Sequence, residues 1–310
     1  MSLHLRAHGR LTRRAALASV AMALSLLGLK VWAAIETGSV AMLGSLADTG
    51  LDVIASLVTL LGVGLAAQPA DADHRFGHGK AEAIAALVQT LLIGLSAVGI
   101  AWRAGMGFAA PATPAAPELG IGISVVAIAA TLALVAYQRR VGRATGSIAI
   151  QTDQLHYQSD LLLNLSVIAA LVLDSLVGLT GADPLFGLVI ALYLMAGAAR
   201  SARTALDMLM DREWPAEKRA RLDGLLAASR HASGIHALRT RSSGTQDFIQ
   251  FHVWVDPRMS VLDAHRIVDE LEDAVEAGFP HADIIVHVDP EGNADRDDDP
   301  PHDEQAKDGH

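Results

Sequence analysis

The chain has 310 residues, 51% of them hydrophobic, no cysteine and a formal net charge of −10. Without thiols, disulfides and thiolate metal sites are excluded, so any bound metal must be held by Asp, Glu and His. A mean hydropathy of +0.33, carried in runs too long for core helices, excludes an ordinary soluble domain and indicates a small integral membrane protein.

Six spans are predicted, at about 14–35, 39–66, 81–107, 118–137, 146–178 and 184–209. Arg6, Arg10, Arg13 and Arg14 precede the first. Arg75 and Lys80 lie between the second and third, and Arg139, Arg140 and Arg143 between the fourth and fifth. The opposite loops, 36–38, 108–117 and 179–183, carry no Lys or Arg. The positive-inside rule then places both termini in the cytosol, in agreement with an even span count. RLTRR followed by an apolar run has the general shape of a signal peptide. The run is too long for an h-region and is interrupted by Lys30, so it is read as the first span.

Near Asp211 the composition turns soluble. Residues 215–229 read as a helix and 235–242 as a strand. Residues 247–256 alternate, with Ile249, Phe251, Val253 and Val255 on one face and Gln250, His252 and Trp254 on the other. Residues 260–277 form a helix with Val261, Ala264, Val268, Leu271 and Val275 on one stripe, and 283–288 a last strand. This α-β-β-α-β order predicts a small α+β layer with helices on one side of a sheet. The expected domains are a six-span transmembrane part over 1–211, a cytosolic part over 212–291 and an acidic, disordered tail over 292–310.

Two pairs of metal-capable residues interrupt the apolar runs: Asp48 with Asp52, and His156 with Asp160. Spacing of i, i+4 puts each pair on one helix face. A carboxylate near the bilayer centre costs roughly 2.5 to 3.5 kcal/mol even on a mild scale, so three demand a cation, protons or a water-filled cavity. Asp48 and His156 each lie about ten residues into spans entered from opposite sides, about 15 Å at the helical rise, so both reach the midplane. Three oxygens and one imidazole suit a four-coordinate divalent transition metal. The alternative is a hydrated crevice, or hydrogen bonds to neighbouring helices through Thr49, Asn164 and Ser166. Asp153 and Asp174 read as end-of-helix or cavity-facing polar groups.

A second candidate is the loop PADADHRFGHGKAE at 69–82, where Asp71, His74 and His78 are interleaved with Gly77 and Gly79. Glycines let the backbone fold around an ion, although a polar turn with solvated histidines fits the spacing equally. A third is the set His236, His252, His265, His287 and Asp289 on mixed elements of the soluble part.

With these motifs in place, the chain resembles the cation diffusion facilitator family, the bacterial ferrous-iron and zinc efflux pumps in particular. DTGLD in span two, QPADADHRFGHGKAE in the loop and LHYQSD in span five carry the likeness. It continues through GIHALRTRSSG, FIQFHVWVD and DAHRIVD to DIIVHVDP, leaving only the tail outside. The resemblance implies that Asp48, Asp52, His156 and Asp160 form the transport site and that Asp71, His74 and His78 form a loop site. It also implies that His236, His252, His265, His287 and Asp289 form a binuclear zinc site in a ferredoxin-like dimerisation domain. Val288 stands where similar pumps carry a polar residue, which reduces the ligand number expected there.

The expected protein is therefore not an enzyme. It is a homodimeric, proton-coupled antiporter of the inner membrane, surrounded by lipid and with no nucleic-acid partner. It exports divalent metal, Zn²⁺ first, with Cd²⁺ as a passenger and Fe²⁺ as the competitor. Ligands must shed protons to bind metal, so protonation from outside would release it. The alternative is a membrane-anchored metal sensor without transport. A metalloprotease is disfavoured because HExxH is absent.

Overall fold

In a computed structural model, residues 3–37, 40–109, 118–177, 182–280 and 282–292 are described. The expected tail lies outside them from residue 293 on. The chain divides into two compact units, Met1–Leu209 and Met210–His310.

The first unit is helical: α1 (Leu3–Thr37), α2 (Val40–Ala66), α3 (Ala81–Ala109), α4 (Glu118–Thr145), α5 (Ile148–Val177) and α6 (Ala182–Leu209). Four stretches within them are long and apolar enough to cross a membrane: Ala7–Trp32, Thr49–Ala66, Ala81–Phe108 and Ala182–Leu209. The expectation of six spans is thus met by four among the described residues. Helix α5 carries Asp153, His156 and Asp160 within its length, and α4 ends in Arg139, Arg140 and Arg143.

Small residues set the close crossings, as expected where lipid supplies no hydrophobic drive between helices. A Cβ added at Gly62 on α2 would lie 2.3 Å from Ala85 Cβ on α3. One at Gly197 on α6 would lie 2.7 Å from Leu155 Cδ2 on α5. The start of α5 is anchored by Glu82 of α3, whose carboxylate accepts hydrogen bonds from Ser147 and from the backbone amides of Ile148 and Ala149. An acceptor placed at a helix N-terminus satisfies amides that are otherwise orphaned there.

The second unit holds α7 (Ala216–Ala227), β1 (Ile235–Ser243), β2 (Gln246–Val255), α8 (Val261–Gly278) and β3 (Asp283–Pro290). The strands form one sheet in the order β1-β2-β3. β1 and β2 pair antiparallel across a tight turn at Gly244, whose φ of 60° favours glycine. β2 and β3 pair parallel, with α8 as the crossover that parallel pairing needs. The alternation in β2 takes effect as read: Ile249, Phe251 and Val253 are buried with Leu222 and Leu226 of α7 and Leu271 and Val275 of α8. Gln250 and Trp254 face away. Val261 departs from the expected stripe and is 88% exposed, because it opens α8 directly after the Ser260 cap.

Leu271 is fully buried at the centre of this core. Leu271→Ala is expected to cost about 2 to 5 kcal/mol in chemical denaturation of this unit. A loss under roughly 1 kcal/mol would mean that α8 does not pack on the sheet.

Candidate metal centres

Among the described residues, three groups of His and Asp bring their ligand atoms within 4.8 Å of one another. They are Asp52 with His156 and Asp160, Asp71 with His74 and His78, and His236 with His252 and Asp289.

The first group lies within the helical unit. His156 Nε2 is 3.0 Å from Asp52 Oδ1 on α2 and 4.0 Å from Asp160 Oδ2 one turn along α5. Ligands about 2.0–2.1 Å from a tetrahedral zinc would sit about 3.3 Å from each other. The two observed separations bracket that value, so a metal needs only small side-chain shifts. His156 is 7% exposed, whereas Asp52 and Asp160 are half-buried. The Asp48 side chain lies outside the described residues, as does that of Asp174. On the turn between Asp48 and Asp52, Thr49 accepts a 2.5 Å hydrogen bond from the Lys30 ammonium of α1.

Asp153 is the polar residue that sequence reasoning misplaced. It is neither at a helix end nor in a cavity but fully buried. Its carboxylate accepts from Ser19 of α1 at 2.6 Å, Gln138 of α4 at 2.7 Å, Gln89 of α3 at 2.9 Å and Thr59 of α2 at 3.4 Å. The available signal was Gln89 inside the apolar run of α3, where a side-chain amide needs a partner in lipid.

The loop group is organised by its backbone. Asp71 Oδ1 accepts the amides of Asp73 at 2.9 Å and His74 at 2.7 Å, an Asx turn that folds the histidines back. His74 Nδ1 and His78 Nε2 each stand 3.4 Å from an Asp71 oxygen. Gly77 takes a φ of 80° to close the turn. The His74 amide, above all, holds the Asp71 carboxyl below its ordinary value, so it stays ionised well into acid.

In the second unit, Asp289 is the common acceptor. Its Oδ2 lies 2.9 Å from His252 Nδ1 and 3.2 Å from His236 Nε2, and its Oδ1 lies 3.0 Å from His287 Nε2. The sheet register produces this: His236 pairs across to His252, which sits beside His287 on β3. His236 Nδ1 faces Gly234 O at 3.1 Å. With Nδ1 turned to that carbonyl, Nε2 faces the Asp289 carboxylate. His265 is not gathered into this group: it is exposed on α8, with Nε2 3.7 Å from Asp269. Val288 points to the other face of β3 and packs against the apolar core.

The family description "cation efflux transmembrane domain" matches residues 16–210, and "cation efflux protein, cytoplasmic domain" matches 214–291. The chain is similar to the cation-efflux pump FieF of Pectobacterium atrosepticum, 44% identical over 283 residues, covering 91% of this chain and 94% of that one. FieF of Serratia proteamaculans is 41% identical over the same coverage. A solved zinc form of CzrB is 35% identical, covering 28% of this chain and 99% of that one, with a TM-score of 0.25.

Proposed function

Because the chain belongs to the cation efflux family, a family of transporters and not of enzymes, we propose that it exports Zn²⁺ from the cytosol in exchange for protons. All six helices α1–α6 cross the bacterial inner membrane, with both termini in the cytosol, and two copies associate through their cytosolic domains. The observation that carries this reading is the approach of His156 to within 3.0 Å of Asp52 between two different helices. Asp48 would complete the cage as its fourth ligand.

Mixed imidazole and carboxylate donors in a four-ligand set favour Zn²⁺, and the same donors admit Cd²⁺ and Fe²⁺. Imidazole and carboxylates bind metal only when deprotonated, so loading at neutral pH releases protons and exposure to acid releases metal. Asp71, His74 and His78 would hold a second ion at the loop. His236, His252, His287 and Asp289 would hold a third in the cytosolic domain, with His265 as a further candidate there.

The test is reconstitution into proteoliposomes, with Zn²⁺ entry and internal pH followed together. Zn²⁺ flux with opposed proton movement is the expected result, and a competition series at fixed pH orders Zn²⁺, Cd²⁺ and Fe²⁺. Tight binding without flux under any pH gradient would replace the antiporter with a sensor.

A further inference from the structure

We propose that Asp153 is a positioning residue for transport, fixing the register of α5 against α2 and hence the distance between Asp52 and His156. The proposal rests on Asp52, His156 and Asp160 being the transport site.

Among the described residues, three polar rungs join α2 and α5. Asp52 meets His156 at 3.0 Å, Ser56 meets Tyr157 at 2.8 Å, and Thr59 donates to Asp153 at 3.4 Å. Between the outer two rungs the position rises from 52 to 59 on α2 and falls from 156 to 153 on α5, so the helices run antiparallel along this seam. The candidate metal site sits at one end and Asp153 at the other. Metal coordination tolerates errors of about 0.2 Å, whereas a slip of one helical turn displaces a ligand by about 5.4 Å. Something has to hold the two helices in register.

Asp153 is built for that task. Ser19, Thr59, Gln89 and Gln138 come from four different helices and all donate to this one carboxylate. Tyr157, one turn along α5, strengthens the same clamp by donating to Ser19 O at 2.9 Å. The arrangement is kept at a cost. Gln89 and Gln138 both turn their NH₂ groups into the network, and neither amide oxygen has a hydrogen-bond partner among the described residues. Orphaned buried polar atoms are rare enough to need a reason. Supplying two donors to Asp153 is that reason. Its four partners are neutral donors, and it stands outside every His and Asp group gathered here, so it shapes the site without entering it.

Asp153→Asn presents an amide to groups that already donate. Adding Gln138→Glu returns a carboxylate to the pair with its polarity reversed. Uptake of Zn²⁺ and of Cd²⁺ into proteoliposomes gives KM and kcat for each ion. Asp153→Asn should raise the Zn²⁺ KM by about tenfold, the lower end of the effect of disturbing a ligand's supporting groups. It should also shift the preference between the two ions, which differ in radius. The double variant should recover both. Thr59→Val removes a single rung and serves if Asp153→Asn does not fold; it should raise KM in the same direction by a smaller factor. Unchanged KM with unchanged ion preference overturns the proposal, as does a fall in kcat alone. Asp52→Ala in the same vesicles separates the two readings. Continued transport by that variant would remove the site assignment itself, whereas a silent Asp52→Ala beside a normal Asp153→Asn removes only the positioning role.

Discussion

Asp52→Ala is expected to cut metal flux through the reconstituted protein by at least about a hundredfold, since loss of a supporting group alone costs 10–100-fold at metal sites. Asp52 is the α2 partner of the candidate ligand His156, at 3.0 Å. Removing it breaks the only described bridge between α2 and the His156 ring. It also leaves the cation with one fewer charge to offset its burial, where each unbalanced charge at mid-membrane costs roughly 2.5 to 3.5 kcal/mol. Asp52→Asn should fare little better, because the amide keeps the shape and loses the charge. The readout is initial Zn²⁺ uptake under an imposed pH gradient, with circular dichroism to check helix content. Asp71→Ala is the contrasting variant: its group is exposed on a loop, and its loss should slow uptake several-fold without abolishing it. Uptake by Asp52→Ala within twofold of the unmodified protein would show that the ion crosses elsewhere.

The parts of this molecule that were legible in the sequence are those set by local periodicity. Alternation along residues 247–256 identified the inner face of β2, and Ile249, Phe251 and Val253 are buried there. The i, i+4 pairs marked His156 and Asp160 as neighbours, and the glycines of the 69–82 loop marked a turn that Gly77 does make. The illegible parts depend on which helix faces meet. Ser19, Gln89 and Gln138 reach Asp153 from 134, 64 and 15 residues away, and no period encodes those encounters. Strand alternation could have placed Val288 on the inner face, since His287 beside it faces out. His265 lies near the start of α8 and not on a strand, so the sheet register that gathers the other histidines does not include it, and its ring stands 3.7 Å from Asp269.

Asp289→Ala is expected to remove most of the stabilisation that metal gives the cytosolic domain. At a hundred times its dissociation constant, a ligand bound only to the folded state adds about 2.7 kcal/mol. For a domain of this size each kcal/mol moves Tm by roughly 4 to 8 °C, so Zn²⁺ should raise the melting point by about 10 to 20 °C over chelated protein. Asp289 is 3% exposed and is approached by three imidazoles, so its removal takes the shared carboxylate from all three. His265→Ala should keep most of the shift, because its ring pairs with Asp269 and not with Asp289. The measurement is thermal melting with Zn²⁺ and with chelator for each variant. A full metal shift in Asp289→Ala would move the centre off β2 and β3. Equal losses in both variants would require α8 to swing His265 onto the metal. The same pair of variants bears on transport, since metal in this domain alters the membrane site only through its differential affinity for two arrangements. If it does, Asp289→Ala should flatten the dependence of uptake rate on cytosolic-side Zn²⁺ while leaving uptake itself in place.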